Sequence, residues 1–464
     1  MCTLLMSSNT FATSAPGKVF FAGGYLVLDR AHTALVFGLN ARIHVRIANW
    51  PDAQIDTPVV SVQSPQFRGA KWLYDIQIST SNSETVDVLQ RTNENGYTFS
   101  GNKFVETTLL YVLTYLSHTR KAIDRSIQVT ILADDDYYSQ SSSSLVDSAG
   151  SGKARFTDFG VTLSEAHKTG LGSSAALTTA LTASLLAFYS ELSSTHQLPL
   201  KTIHNLAQAA HCAAQGKVGS GFDVATAVYG SCLYRRFTPI ILEAVGEPSS
   251  EGFGERLHRC VEDLDLEHKW DVEIANHAVK VPDSLLLVMC DVDCGSETPG
   301  MVRNLLKWRK DNPEEAGLLW TALQQGTEDL CSELTKLAKV DGIVDDGYQE
   351  LGDIIQTIRS MVREMSQKSK VPVEPPVITE LLDYCTALPG VVGGVCPGAG
   401  GYDAVALLIK NDIENVENLT AKLGGWSSNS KDGTGIGKVR LLGVKQEEQG
   451  VKTEDSSFYE EWIK

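Results

Sequence analysis

A glycine-serine loop that runs directly into a long apolar stretch is the strongest constraint in this sequence. Residues 170–188 read GLGSSAALTTALTASLLAF, and the apolar part contains neither Gly nor Pro. The pattern predicts a core helix that begins at the two serines. The free N–H groups at such a helix start favour an anion, and Gly170 and Gly172 allow the backbone to approach it. Taken alone, the loop is equally typical of a phosphate site and of an ordinary helix start capped by serine.

The two common phosphate-loop patterns do not fit the chain. The dinucleotide-binding pattern requires a third Gly where Ala175 stands. The nearest approach to a Walker A motif, DSAGSGKA at 147–154, has Asp147 in place of the first Gly and Ala154 in place of the required Ser or Thr. A Rossmann or P-loop nucleotide site is therefore disfavoured.

The length of the chain and the order of its predicted elements indicate two lobes. Its 464 residues exceed the roughly 250–300 residues at which single hydrophobic cores stop growing. Strands and helices are mixed in both halves without regular βα alternation, which predicts an α+β fold rather than a doubly wound sheet. We place the lobes at residues 1–238 and 239–464. Predicted helices of the second lobe cover 298–311, 314–339 and 347–368.

Charge and cysteine usage limit the partners and the compartment. The formal net charge is −17, which argues against nucleic acid or an anionic membrane surface as a partner and favours a small ligand. The nine cysteines form no CxxC pair, which is typical of a reducing compartment. Neither a signal peptide nor a run of 18 apolar residues occurs. We expect a cytoplasmic protein without membrane insertion or an obligate protein partner.

Three further segments accompany the loop. In the segment APGK, Lys18 follows a predicted Pro-Gly turn and enters a strand. In KVGSGFDVATAVYG, a Gly-Ser turn leads to Asp223. The third segment, PGAGGYDA, begins at Pro397. Each has an ordinary explanation, namely a solvated lysine, a helix-capping aspartate and a turn at a strand.

In this order, the four segments resemble the motifs of the GHMP kinases, a superfamily that includes galactokinase, homoserine kinase and mevalonate kinase. The stretches KTGLGSSAA, AHCAAQGKVGSGFDVATAVYGS and PGAGGYDA are very similar to its fungal-type, eukaryotic phosphomevalonate kinase branch. The resemblance implies a ribosomal-protein-S5-like N-terminal lobe and a ferredoxin-like C-terminal lobe. It also implies transfer of phosphate from ATP, with Mg²⁺, to mevalonate 5-phosphate in the mevalonate pathway of isoprenoid and sterol biosynthesis.

The same resemblance assigns roles to individual residues. Lys18 and Asp223 match the catalytic pair, and Ser174 matches a metal-binding serine. The residues implied to bind ATP are Lys168, Gly170, Leu171, Gly172, Ser173, Ser174 and Ala175. The residues implied to bind the acceptor are Gly24, Tyr25, Lys217, Ser220, Gly221, Gly398, Ala399, Gly400 and Gly401.

The chain departs from mevalonate kinase at two places. Gly24 and Tyr25 stand where that enzyme carries Glu-His, which removes a negative charge and suits an acceptor that already bears a phosphate. Cys212 stands at the position of its acidic Mg²⁺ ligand, so that ligand is not carried over. His204 and His211 lie seven residues apart, and we expect core or surface histidines there rather than a metal pair.

Weaker site candidates remain. Arg42 and Arg236 are candidates for an acceptor anion, although an arginine in a strand is usually solvated. Ser296 and Thr298 mark a helix start that either binds an anion or is simply capped. The polar segment 134–160 is either a lid over the nucleotide or an insertion.

Other functions stay open at this point. Within the enzyme class they are mevalonate kinase, opposed by Gly24 and Tyr25, and diphosphomevalonate decarboxylase. An alternative from another class is a catalytically inactive ligand-binding homologue. The retained Lys18, Ser174 and Asp223 argue against this alternative.

Overall fold

The computed structural model describes residues 10–50, 57–78, 85–92, 100–139, 155–191, 197–292, 298–339, 348–428 and 438–463. The Walker-like segment 147–154, the central part of the predicted polar loop (140–154) and Ser296 lie outside the described residues.

The structure forms strands and helices in both halves of the chain. The strands are β1 Thr10–Ala22, β2 Ala34–Asn49, β3 Val59–Gln63, β4 Lys71–Ile78, β5 Val86–Gln90, β6 Ile127–Ala133, β7 Tyr138–Ser139, β8 His167–Lys168, β9 Cys232–Arg235, β10 Glu273–Asn276, β11 Leu285–Val292, β12 Val391–Val395, β13 Ala404–Lys410, β14 Val439–Leu441, β15 Gln446–Glu447 and β16 Lys452–Thr453. The helices are α1 Lys103–His118, α2 Ser173–Tyr189, α3 Leu200–Gln215, α4 Phe222–Tyr229, α5 Ile240–Glu243, α6 Phe253–Val261, α7 Thr298–Asp311, α8 Pro313–Leu337, α9 Gln349–Ser369, α10 Pro376–Thr386 and α11 Ile413–Gly424. Among the described helices, none is long and apolar enough to cross a membrane.

A ten-stranded sheet organises the first lobe. Its main order is β10-β9-β2-β6-β3-β4-β5, and β1 pairs with the other edge of β2. The β1–β2 register shifts between Pro16 and Gly17 and then places Lys18 opposite Gly38. The Pro-Gly pair is therefore an irregularity inside β1 rather than the predicted turn before a strand.

Helix α2 is the central helix of the first lobe. It packs against β1, β2, α1, α3 and α4, and its residues from Ala175 to Tyr189 are buried apart from Leu177. A helix that is apolar on all sides needs such an enclosed position. The predicted core helix beginning at Ser173 is confirmed.

The second lobe is a four-stranded antiparallel sheet in the order β12-β13-β11-β14. Helices α9 and α10 pack on β12, α11 packs on β13 and β14, and α8 lies against α9. Helix α7 has the predicted bounds, and α8 and α9 lie within two residues of theirs. The α+β class is confirmed.

The sheets do not divide where the sequence places the lobe boundary. Strand β10 pairs with β9, while β15 and β16 at the end of the chain pair with β2 and β1. The chain after residue 238 thus contributes three strands to the first sheet. The C-terminal segment returns to the first lobe after the second lobe is complete.

Candidate active site

The glycine-serine loop and Lys18 are bound to each other at the start of α2. The backbone N–H of Lys18 donates to the Leu171 carbonyl at 2.8 Å, and its Nζ donates to the Gly170 carbonyl at 2.9 Å. Gly170 and Gly172 have φ values of +76° and +81°. A Cβ at Gly172 would lie 3.0 Å from Lys18 Cγ. The glycine is required here both for its backbone conformation and for the close passage of the lysine.

Lys18 and Asp223 interact electrostatically at this junction. Burial lowers the pKa of Lys18 from its ordinary value of 10.5, and the negative charge of Asp223 opposes that shift. The Lys18 ammonium also lies 5.9 Å from the centre of the Phe222 ring. Asp223 is the second residue of α4, and its Oδ1 accepts from the Val224 N–H at 2.9 Å. Gly221 occupies the cap position, so Asp223 is not the helix cap that the simpler explanation required.

His211 completes the cluster, and the sequence did not assign it there. Its Nε2 lies 3.1 Å from the Ser174 hydroxyl and 3.9 Å from Oδ2 of Asp223. The imidazole is buried. Cys212 is also buried, and its sulfur accepts a hydrogen bond from Gln208 at 3.2 Å. His211, rather than its neighbour Cys212, therefore lies between the serine and the aspartate.

His204 belongs to the core. Its Nδ1 lies 3.0 Å from the Asn205 side-chain oxygen, and its ring packs edge-on against Trp270. Burial lowers its pKa from 6.5 to about 4. Within the described residues, no group of three or more His, Cys, Asp and Glu side chains is arranged to hold a metal ion. The contacts of His204 are those of a core histidine.

The Gly-rich segment after β12 lies against the end of β1. The Gly398 N–H donates to the Phe20 carbonyl at 3.0 Å, and the Tyr25 hydroxyl donates to the Ala399 carbonyl at 2.6 Å. A Cβ at Gly24 would lie 2.6 Å from the Gly398 carbonyl oxygen. These contacts join the two lobes beside the Lys18 strand. Tyr25 is buried and its hydroxyl is engaged by protein, so it shapes the site wall.

Two cavities open on either side of this junction. The first, about 570 Å³, has walls from both lobes. Its predicted acceptor residues are Gly24, Tyr25, Lys217, Ser220, Gly221, Gly398, Ala399 and Gly400, and Lys18, Asp223, Gly170 and His211 line it as well. Gly401 does not line it, because it is buried and its N–H donates to the Val373 carbonyl at 3.0 Å. We call this the acceptor cavity.

The second cavity, about 520 Å³, lies on the other side of the α2 start. Lys168, Ser173 and Ser174 line it, whereas Leu171 and Ala175 are buried behind the loop. Aromatic side chains form much of its wall, and the sequence assigned none of them. They are Phe67, Trp72, Phe104 and Tyr138. We call this the aromatic cavity.

The weaker candidates separate clearly. Arg236 lines the acceptor cavity, but its guanidinium donates to the carbonyls of Leu28, Val218 and Gly219. Arg42 was wrong as an anion-binding candidate: it is buried, and it donates to Ser14 and to the Gly450 carbonyl on the C-terminal segment. Thr298 is the first residue of α7, as predicted.

One cation of the acceptor cavity was not predicted at all. Arg309 on α7 reaches the cavity from the second lobe. Arg309 belongs to no sequence motif, and nothing about its position on the helix is unusual. Its partner Asp29 is 280 positions away along the chain, so the sequence alone does not reveal the contact.

The chain matches known proteins in sequence along nearly its whole length. Residues 153–231 match the model of the GHMP kinases N-terminal domain. The chain is 48% identical to phosphomevalonate kinase of Aspergillus fumigatus, covering 97% of this chain and 98% of that protein. It is 47% identical to phosphomevalonate kinase of Gibberella zeae, with 98% and 99% covered. With phosphomevalonate kinase of Candida albicans it shares 37% identity over 88% and 92%.

Solved structures show the same fold at low sequence identity. Streptococcus pneumoniae phosphomevalonate kinase in complex with phosphomevalonate and AMPPNP superposes with a TM-score of 0.59 at 16% identity, covering 94% of this chain and 99% of that one. The mevalonate kinase of L. major in complex with R-mevalonate gives 0.53 at 14% identity, covering 96% and 99%. The expected two-lobed GHMP kinase fold is confirmed. With close relatives matched along nearly its whole length, the chain belongs to the phosphomevalonate kinase family of the GHMP kinases.

Proposed function

We propose that this protein transfers the γ-phosphoryl group of ATP to mevalonate 5-phosphate, forming mevalonate 5-diphosphate and ADP. The observation that carries the proposal is the placement of Lys18, Asp223 and the start of α2 between two cavities of similar size. One cavity suits a small anionic acceptor, because four cationic side chains line it. These are Lys18, Lys217, Arg236 and Arg309. The names of the close relatives supply the identity of the acceptor.

The aromatic cavity is the proposed nucleotide site. Its aromatic wall offers stacking surfaces for a base, and Ser173, Ser174 and Lys168 stand at its phosphate end. The free N–H groups at the start of α2 would donate hydrogen bonds to the phosphate oxygens of ATP. We therefore propose that the loop holds the phosphates and delivers the γ-phosphoryl group toward Lys18.

Ser174 is the proposed Mg²⁺ residue. Mg²⁺ prefers oxygen ligands and retains several waters, and the Ser174 hydroxyl at the helix start is an oxygen ligand 3.1 Å from Nε2 of His211. Cys212 offers no oxygen at the position of the acidic ligand of mevalonate kinase. When bound, the ion would neutralise part of the charge on the ATP phosphates.

The proposed step joins two phosphates. An oxygen of the acceptor phosphate forms a bond to the γ-phosphorus while the bond to the β,γ-bridging oxygen breaks, and ADP leaves with that electron pair. The acceptor phosphate has a second pKa of about 6, so its attacking oxygen is already largely ionised at neutral pH. Asp223 then orients Lys18 and the acceptor, while the Lys18 ammonium stabilises the charge of the transition state.

Release of ADP with three acceptors in parallel tests the proposal. Mevalonate, mevalonate 5-phosphate and mevalonate 5-diphosphate are each supplied with ATP and Mg²⁺. We expect ADP release with mevalonate 5-phosphate and a diphosphate product. Turnover of mevalonate alone would indicate a mevalonate kinase, and CO₂ from the diphosphate would indicate the decarboxylase. Absence of turnover with all three would favour the inactive ligand-binding homologue.

We also propose a cytoplasmic location. The described cysteines Cys212, Cys232, Cys260, Cys290, Cys331, Cys385 and Cys396 are free thiols. Free thiols are typical of reducing compartments. Microscopy of a fluorescently tagged chain tests this, and signal confined to an organelle would contradict it.

A further inference from the structure

The cations of the acceptor cavity are not equally available to a ligand. Lys18 lies at the reacting end beside Asp223. Lys217 is exposed on the turn that leads to Asp223, so it also lies near that end. Arg236 uses both terminal nitrogens on backbone carbonyls, at 2.8 to 3.1 Å. These contacts hold the turn that carries Asp223 in place.

Arg309 is held differently. Its Nη2 forms an ion pair with Asp29, and its guanidinium lies 5.0 Å from the centre of the Trp320 ring. A guanidinium has five N–H donors in a rigid plane. Within the part of the chain that the structure describes, the Arg309 guanidinium donates a hydrogen bond to Asp29. The side chain is 29% exposed, so its remaining donors are oriented and accessible on the cavity wall.

We infer that Arg309 binds the carboxylate of the acceptor. This inference rests on the proposed function. Mevalonate 5-phosphate carries a phosphate at one end of a five-carbon chain and a carboxylate at the other. The phosphate end must lie at Lys18 and Asp223 in order to react. The carboxylate then lies elsewhere in the same cavity, which Arg309 lines from the second lobe.

The chemistry of the guanidinium suits this role. Its planar fork matches the two oxygens of a carboxylate, and such paired hydrogen bonds are stronger than those of a single ammonium. The position of the guanidinium over the Trp320 ring orients the group before the acceptor arrives, which lowers the entropy lost on binding.

A structural role for Arg309 is the competing explanation, because the Arg309–Asp29 pair connects the two lobes. The two roles separate in matched variants. Arg309→Gln removes both the ion pair and the carboxylate-binding cation, whereas Asp29→Asn removes the ion pair and keeps the cation. Lys307→Gln on the same helix is the control, since Lys307 is 76% exposed and pairs with Asp311 on the helix surface.

The experiment measures KM and kcat for each substrate, with calorimetric binding of mevalonate 5-phosphate as a second readout. We expect Arg309→Gln to raise the KM for mevalonate 5-phosphate at least about tenfold, with the KM for ATP unchanged. Arg309→Lys should fall between Gln and wild type. Asp29→Asn and Lys307→Gln should change that KM by less than about threefold. Equal losses in Arg309→Gln and Asp29→Asn would overturn the inference.

An acceptor analogue removes the remaining ambiguity. In this analogue a primary amide replaces the carboxylate and the phosphate is kept. We expect wild type and Arg309→Gln to bind it equally weakly, because the interaction lost in the variant is already absent. A tenfold difference that persists with the amide would also overturn the inference. A wild-type protein that neither binds nor phosphorylates mevalonate 5-phosphate would instead contradict the proposed function itself.

Discussion

Lys18 is buried where it must also carry a charge, and this predicts a measurable pH dependence. Burial lowers its pKa below 10.5 despite the opposing charge of Asp223. As pH rises, the ammonium therefore loses its proton earlier than an exposed lysine does. We expect log kcat/KM, which reports the free enzyme, to fall on the alkaline side at a pH below 10.5.

The Lys18→Arg variant is the control for this limb. A guanidinium stays protonated over the accessible range, so the variant should lose the alkaline limb and have a lower rate. An unchanged limb in the variant would assign the titration to another group.

Asp223 provides the second prediction at this scale. If it positions Lys18 and the acceptor, Asp223→Asn should lower kcat by about 100-fold, and equally at pH about 5 and about 8. A general base would be needed only below the second pKa of the acceptor phosphate, which is about 6. A loss confined to the acidic range would therefore show that Asp223 removes a proton. Asp283→Asn, at an exposed position away from the cavity, is the matched control.

The start of α2 offers a matched pair of glycines. Both Gly170 and Gly172 have positive φ, so alanine at either position should cost about 1–2 kcal/mol in backbone strain. A Cβ at Gly172 would lie 3.0 Å from Lys18, whereas one at Gly170 would meet nothing within 4 Å. We expect both variants to lower the melting temperature similarly and only Gly172→Ala to lower kcat strongly. Equal kcat values in the two variants would contradict the role of this contact.

Local sequence patterns predicted the parts of the site that local interactions build. The start of α2 is specified by its own glycines, serines and apolar run, and the bounds of α7 follow from its amphipathic pattern. The contact of His211 with Ser174 joins residues 37 positions apart, and Arg309 meets Asp29 across 280 positions. No local pattern encodes such pairs. The short strands β3 to β5 were missed for a related reason, since pairing with β6 and with one another stabilises them.

The C-terminal segment, which contains β15 and β16, completes the sheet of the first lobe. Family resemblance predicted two lobes, but the predicted boundary ignored the return of β15 and β16 to the first sheet. Arg42 was misread for the same reason. An arginine in a strand reads as solvated, yet here the C-terminal segment covers it and accepts its hydrogen bonds at Gln449 and Gly450.

These contacts predict that the stability of the first lobe depends on the C-terminal segment. A chain that ends at Lys445 loses β15 and β16, the carbonyls that bind Arg42, and the contact of Tyr459 with His44 at 3.0 Å. The deletion also removes the buried side chains of Val451 and Tyr459. Burial of one large apolar side chain contributes about 1.5–3 kcal/mol, so the total loss is a large share of a typical domain stability of roughly 5–15 kcal/mol.

We therefore expect the shortened chain to unfold at a much lower temperature, or to be recovered only in the insoluble fraction, although the deletion removes no residue of either cavity. Thermal unfolding followed by circular dichroism measures the effect. Phe458→Ser is the control within the same segment, because Phe458 is 65% exposed and its loss should leave the transition nearly unchanged. The two lobes would then be connected through the C-terminal segment as well as through the walls of the acceptor cavity. A shortened chain with the wild-type transition would show that the first sheet is stable without its last two strands.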